Sequence, residues 1–137
     1  MMKIVISTAL VLLLSTTTVT AGEIECNPDG NQMEMNQCAA DDYAAADKKL
    51  NATWKKLMAQ FKSDKTATAK LKAAQKAWIA FRDAEIAAQF ACDEGDIRVC
   101  WGSMYPMLVN GELQAMTETR TERLQKYLDD GLGVPMN

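Results

Sequence analysis

Apolar residues recur every three or four positions in three stretches of this chain, which is the spacing of amphipathic α-helices. The first stretch carries Ala40, Tyr43, Leu50, Trp54, Leu57 and Phe61. The second carries Leu71, Ala74, Trp78, Phe81 and Ala88, with Ile79, Ile86 and Phe90 on a neighbouring flank. The third carries Leu108, Leu113, Met116, Leu124 and Tyr127. The pattern predicts an all-α protein with three long helices.

Capping and turn residues separate the three stretches. Asn31 can accept a backbone hydrogen bond at the start of the first helix, and Glu34 completes a capping box. Residues 63–66 form the best turn, so the first two helices are expected to pair as an antiparallel hairpin. A second turn is predicted at residues 93–96. Ser103 is the predicted cap of the third helix, and we expect that helix to pack on the hairpin.

The first 21 residues have the organisation of a secretory signal peptide. Lys3 supplies positive charge, residues 4–14 are mostly apolar, and Ala21 ends a run of small residues that suits signal peptidase. The apolar run is shorter than the roughly 20 residues that a permanent transmembrane helix needs. We therefore expect a signal peptide over residues 1–21 and one domain over residues 22–137. That domain is predicted to be periplasmic or secreted, with no transmembrane anchor in its mature form.

The chain has four cysteines and no histidine. The cysteines are Cys26, Cys38, Cys92 and Cys100, and an even count in an exported chain predicts two disulfides. The lack of histidine excludes Ser-His-Asp and Cys-His nucleophiles, and it disfavours a zinc site. There is also no glycine-rich phosphate loop. We therefore predict a protein that is not an enzyme and binds no cofactor, metal ion or nucleic acid.

Charge is distributed unevenly along the chain. Residues 22–47 hold seven acidic side chains and no basic ones, whereas residues 48–76 hold nine lysines and one acid. Residues 77–137 hold ten acidic and five basic side chains. In a hairpin that turns near Asp64, the lysine-rich block forms the tip, and the two acidic blocks share the other end. We expect a basic tip and an acidic end, which serve either as a solvated surface or as a surface that steers association.

The hairpin register predicts a buried ion pair. A turn centred on residues 64–65 places Phe61 opposite Thr68 and Asp47 opposite Arg82. Asp47 and Arg82 both interrupt apolar faces, and a planar guanidinium can bind a carboxylate through two parallel hydrogen bonds. We interpret the pair as one that fixes the register of the hairpin rather than as a ligand site.

An ordered series of short motifs runs through nearly all of residues 22–137. The more specific motif is a Gln-x-x-Trp-Ile-x-Phe-Arg-Asp-Ala-Glu block that begins at Gln75. The others are Cys26, Met35-Asn36, Cys38-Ala39, Tyr43, Ala46-Asp47, Leu50-Asn51, Gly102-Ser103, Met116-Thr117, Arg120-Thr121 and Leu124. This series resembles the LprI-like lysozyme inhibitor family of exported bacterial proteins. The signature residues that the resemblance marks are Asn36, Tyr43, Asn51, Gln75, Trp78, Asp83, Glu85 and Arg120.

The resemblance also bears on the disulfides. Such domains carry a cysteine directly after the Arg-Asp-Ala-Glu run and another before the late helix, where this chain has isoleucine and glutamate. The absence of both cysteines fits a missing disulfide with Cys92–Cys100 as its local replacement, which leaves Cys26–Cys38. The resemblance therefore favours this pairing, whereas the hairpin register also allows Cys38–Cys92 with Cys26–Cys100.

The resemblance implies an all-helical exported protein that inhibits lysozyme. We expect a non-enzymatic, protein-binding domain whose partner is a cationic lysozyme held at the acidic end. The predicted partner surface is Glu34, Asp41, Asp42, Asp93, Glu94 and Asp96. The alternative is a cell-envelope module that contacts anionic glycan or lipid through the lysine-rich tip.

Overall fold

A computed structural model describes residues 23–133 of the chain, and the predicted signal peptide lies outside this range. Five helical segments follow in order: α1 (Gln32–Gln60), α2 (Lys65–Gln89), α3 (Ile97–Trp101), a 3-10 turn (Gly102–Met104) and α4 (Tyr105–Asp130). The described residues contain no strand, so the all-α prediction is confirmed. Within this part of the chain, no helix combines the length and apolarity that crossing a membrane requires.

The helix starts follow local chemistry, with one exception. The Asn31 side chain accepts hydrogen bonds from two backbone amides of α1, and Glu34 closes the predicted capping box. Asp64 caps α2 by accepting from the amide of Ala67 at 2.8 Å. The prediction that Ser103 caps the last helix is wrong. A 3-10 turn runs directly into α4, so Ser103 lies inside a helical turn, whereas a capping residue needs extended backbone.

The three long helices run up, down and up. Near the start of α1, the Asn36 amide donates to the carbonyl of Ser103 at 3.0 Å, just before α4. Near the end of α1, the Gln60 amide donates to the carbonyl of Leu128 at 3.2 Å, near the end of α4. Helices α1 and α4 are therefore parallel, and α2 runs antiparallel to both. The predicted hairpin with a third packed helix is confirmed.

The core lies mainly along the line where α1 packs on α4, which we call the α1/α4 seam. Leu57 and Leu124 are fully buried there, and Leu50 is nearly so. Burying one such side chain stabilises the fold by about 1.5–3 kcal/mol. Small buried residues lie beside these leucines in the two helices: Ala46, Thr53, Thr117 and Thr121. Because interaxial distance depends on side-chain size at the contact, these small residues let the two helices approach closely.

Helix α2 is held more loosely. Its less exposed positions recur every three or four residues and are Thr68, Leu71, Gln75, Trp78, Arg82 and Ile86, continued by the buried Phe90 just after the helix. Within the helix itself only Leu71 is buried. Ile79 and Phe81, which the apolar pattern assigns to α2, remain exposed. Long polar and aromatic side chains therefore make much of the contact between α2 and the other two helices.

Two disulfides close the same end of the bundle. Cys26 pairs with Cys38, which ties the segment before α1 to its second turn. Cys92 pairs with Cys100, which closes the loop between α2 and α3. Beside that loop, Phe90 packs edge-on against the rings of Trp101 and Tyr105. The pairing favoured by the family resemblance is therefore confirmed, and Cys38–Cys92 is not formed.

Candidate functional site

The structure brings several of the predicted signature residues together where α2 meets α1 and α4. Two guanidinium groups lie over the ring of Trp78. The Arg82 carbon Cζ is 5.4 Å from the centre of the ring, and that of Arg120 is 5.8 Å away. Both distances suit cation–π attraction. Gln75 accepts a hydrogen bond from Arg120. We call Gln75, Trp78, Arg82 and Arg120 the arginine–tryptophan cluster.

The predicted Asp47–Arg82 ion pair is wrong. Arg82 donates from Nε and Nη2 to Oδ1 of Asp83, at 2.9 and 2.7 Å, and from Nη1 to the Tyr43 hydroxyl at 3.5 Å. Asp47 instead accepts a hydrogen bond of 2.8 Å from the amide of Asn51. The Arg82 side chain is 16% exposed and that of Asp83 is 59% exposed, so the ion pair that does form lies partly in water.

A drift in register explains the error. At the tip the predicted register holds, because the Thr68 hydroxyl donates to the carbonyl of Phe61 at 2.9 Å. Further along the hairpin, Arg82 meets Tyr43, which lies one helical turn before Asp47 on α1. Large side chains such as Trp54 and Trp78 pack against the core between these two contacts. Between the tip and Arg82, the α1 residue that faces α2 shifts by about one helical turn from the predicted register.

Arg120 is the least compensated charge in the cluster. Its Nε donates to Oε1 of Gln75 at 2.9 Å. Its Nη2 is buried and has no hydrogen-bond partner among residues 23–133. Burial lowers the pKa of the Arg120 guanidinium, Arg123 adds to that effect, and Tyr127 opposes it. This cation is therefore held in a partly desolvated position between α2 and α4.

Other signature residues have local structural contacts. Asn36 ties α1 to the segment before α4 through its bond to Ser103. Asn51 bonds to the backbone carbonyl and the side chain of Asp47, one turn earlier on α1. Glu85 is exposed on α2. The signature thus divides into residues that build the helices and residues that meet in the arginine–tryptophan cluster.

The predicted partner surface also divides into two groups. Glu34 belongs to the capping box of α1, and Asp96 caps α3 and pairs with Arg98 at 2.9 Å. The side-chain hydrogen bond from Arg98 lowers the pKa of Asp96, and the same bond raises the pKa of Arg98. The remaining four carboxylates are exposed, and none of them belongs to an ion pair found among residues 23–133. They are Asp41, Asp42, Asp93 and Glu94.

The expectation of a basic tip is only partly met. Because α4 runs parallel to α1, its last turn lies at the tip and brings Asp129 and Asp130 beside the lysine-rich turn. The α1/α4 seam also carries an open groove of about 790 Å³ on its surface. The charged residues that line it are Asp42, Lys49, Glu118, Glu122, Lys126, Asp129 and Asp130. The distribution of charge along the sequence does not predict this groove, because it contains no information on the direction in which α4 runs.

A protein family and one known protein match this chain over most of the residues described above. The model of the family described as "Lysozyme inhibitor LprI" matches residues 25–124. An uncharacterized protein of Rhizobium meliloti (strain 1021), R02472, is 36% identical over 118 residues, which cover 78% of this chain and 81% of the relative. No solved structure matches the chain.

Proposed function

The chain belongs to the LprI lysozyme inhibitor family, and from this we propose that it is an exported, non-enzymatic protein that binds a cationic lysozyme and inhibits it. The observation that carries the proposal is the family match, which spans both disulfides, all of α1 and α2, and most of α4. The two disulfides support a periplasmic or secreted location, since such bonds persist in oxidising compartments.

The contact surface we propose is the acidic end. Asp41 and Asp42 project from α1, while Asp93 and Glu94 lie in the disulfide-closed loop after α2. The Asp41 carboxylate accepts a hydrogen bond from the Gln37 amide, which leaves its charge uncompensated. These four exposed carboxylates form no ion pair with a basic side chain of residues 23–133, and such charges attract a basic protein surface and speed its association.

Inhibition by this surface needs no reactive group. Lysozyme cleaves a long glycan polymer in an open cleft, so a rigid helical domain bound beside that cleft excludes the polymer by its bulk. Two disulfides and the capped helix starts keep the acidic end in one shape, which reduces the ordering cost of binding.

The test is a cell-wall lysis assay with several lysozyme types, titrated with purified protein at low and at physiological salt. We expect inhibition that weakens as salt rises, because exposed charges are screened over about 8–10 Å near physiological ionic strength. Calorimetric titration of the same pairs separates binding from inhibition. No binding to any lysozyme type at micromolar protein would reject the proposal.

Matched variants locate the surface. A quadruple variant that changes Asp41, Asp42 and Asp93 to Asn and Glu94 to Gln removes four charges, and we expect affinity to fall about tenfold or more. This estimate takes a few tenths of a kcal/mol for each exposed charge. The control changes Asp129 and Asp130 to Asn at the opposite end and should alter affinity far less. An equal loss of binding free energy per charge removed in the two variants would show that general charge, and not the acidic end, governs binding.

The lysine-rich tip remains the alternative surface. Asp129 and Asp130 lie at the same end of the bundle and reduce its positive charge. They therefore disfavour contact of the tip with anionic glycan or lipid. Sedimentation of the protein with anionic vesicles and with cell-wall glycan measures this alternative directly. Strong sedimentation together with no lysozyme binding would favour the envelope-binding module.

A further inference from the structure

A small cavity opens between α2 and α4, beside the arginine–tryptophan cluster. Its volume is about 250 Å³. The residues that line it are Ala67, Lys70, Leu71, Ala74, Arg120, Tyr127 and Leu132. Two of them are cations, the others are apolar or aromatic, and this lining includes no acidic residue. The cavity therefore combines positive charge with an apolar wall, unlike the acidic groove of the α1/α4 seam.

Within residues 23–133, the Arg120 guanidinium bonds to Gln75 and lies over the Trp78 ring, but it has no carboxylate partner. The Gln75 amide oxygen satisfies Nε, but Nη2 is buried without an acceptor. Among residues 23–133, no carboxylate oxygen lies within 4.0 Å of this guanidinium. A buried charged donor without a partner is unfavourable, because its lost hydration is not replaced. Nη2 is shut off from solvent and Nε is bonded to Gln75, so an anion in the cavity would bond to Nη1 and supply the negative charge that residues 23–133 do not provide.

We propose that this cavity binds an aliphatic carboxylate. The carboxylate contacts the Arg120 guanidinium and the Lys70 ammonium, and the apolar body lies against Leu71 and Ala74. Of the Arg120 donors, Nη1 is the one open to such a ligand, and the Lys70 ammonium supplies the second charged contact. This site lies apart from the acidic end, and the inference does not depend on lysozyme inhibition.

The dimensions of the cavity limit the ligand. Pockets for drug-sized ligands measure about 300–1,000 Å³, so a cavity of about 250 Å³ accepts a short aliphatic chain or one apolar side chain. Two sources supply this chemistry in an exported protein. One is a medium-chain fatty acid, and the other is the free carboxylate at the end of a peptide with an apolar last residue.

The test is a titration of the purified protein followed by two-dimensional NMR, with the Arg120 Nε–H resonance as a local probe. The ligands are octanoate and an acetylated Ala-Leu dipeptide, each beside its neutral amide. We expect saturable shifts at Arg120 with at least one carboxylate and none with either amide. The carboxylate that binds identifies the source. Failure of both carboxylates at millimolar concentration, or equal binding of an amide, would overturn the inference.

Two variants separate the site from general stability. Arg120→Gln should weaken carboxylate binding roughly 10- to 100-fold, because a hydrogen bond to a charged group is lost. Ala74→Leu fills the cavity from an exposed position on α2 and should abolish binding while leaving Arg120 in place. Ala73→Leu is the matched control, since Ala73 is also exposed but does not line the cavity. Unchanged affinity in Ala74→Leu, or equal loss in Ala73→Leu, would place the ligand elsewhere.

Discussion

The two sides of α1 show how differently one helix can be packed. Toward α4, α1 presents leucines and small residues that are buried almost completely. Toward α2, the contacts are made by long side chains such as Trp78 and Arg82, which stay partly exposed. The α1/α4 seam therefore has the close packing of a protein core, and the α2 side has the mixed chemistry of a binding surface.

This difference has consequences for motion and function. Regions with few buried apolar contacts open locally at a lower free energy than the rest of a fold. Helix α2 fits that description, because Leu71 is the one residue buried within it. The arginine–tryptophan cluster and the carboxylate cavity both lie where α2 packs on α4, so one wall of the proposed ligand site is formed by the helix that can adjust most easily.

The largest expected effect contrasts a core leucine with an exposed isoleucine. Leu57→Ala empties a fully buried position in the α1/α4 seam and should lower the free energy of unfolding by about 2–5 kcal/mol. Ile79→Ala on α2 should change it by less than about 0.5 kcal/mol, because that side chain is exposed. Urea denaturation followed by circular dichroism measures both. Similar losses in the two variants would contradict the contrast between the seam and α2.

Removal of a disulfide should give the next largest loss of stability. Their cysteines are 12 and 8 positions apart in sequence. In a chain-entropy account, removing either bond costs about 2.5–3 kcal/mol. The Cys92→Ala/Cys100→Ala variant should also speed amide exchange at the end of α2, whereas Cys26→Ala/Cys38→Ala should act on the start of α1. Uniform changes in exchange along the whole bundle would show that the two elements do not open separately.

The features predicted correctly from the sequence depend on neighbouring residues. The capping box at Asn31 and the turn between α1 and α2 use groups within four positions of one another. The capping box is present, and the turn lies at residues 61–64, two positions earlier than the predicted 63–66. Ser103 does not cap α4, although that prediction also rested on neighbouring residues. The 3-10 turn before α4 supplies helical backbone there, and nothing in the residue pattern distinguishes that turn from a capped start.

The features that were missed depend on distant residues. A slip of one helical turn replaced Asp47 with Tyr43 as the α1 contact of Arg82. Asp129 and Asp130 lie at the tip because α4 runs parallel to α1. The distribution of charge along the sequence does not predict that direction. Gln75 and Arg120 were both marked by the family resemblance. Their hydrogen bond could not be anticipated, since no rule set the register of α4 against α2.

Two neighbouring threonines in the seam give a smaller effect of opposite sign. The Thr121 hydroxyl donates to the carbonyl of Thr117 at 2.8 Å, whereas the buried Thr117 hydroxyl has no partner. Thr117→Val removes an unsatisfied polar group with little change of shape and should be neutral or stabilise by up to about 1 kcal/mol. Thr121→Val loses a hydrogen bond and should cost about 0.5–1.5 kcal/mol. A larger loss in Thr117→Val than in Thr121→Val would indicate a partner for the Thr117 hydroxyl.

The smallest effect concerns Arg82 and decides which carboxylate it couples to. Because Asp83 is 59% exposed, water screens the pair, and a double-mutant cycle with Arg82→Gln and Asp83→Asn should give a coupling of about 0–1 kcal/mol. The matched cycle with Asp47→Asn should give a coupling near zero, because Asp47 bonds to Asn51 instead. Chemical denaturation of the single and double variants supplies all the free energies. A coupling of 3 kcal/mol or more between Arg82 and Asp47 would be the mark of a buried ion pair across the hairpin, and it would contradict the contacts described for both residues.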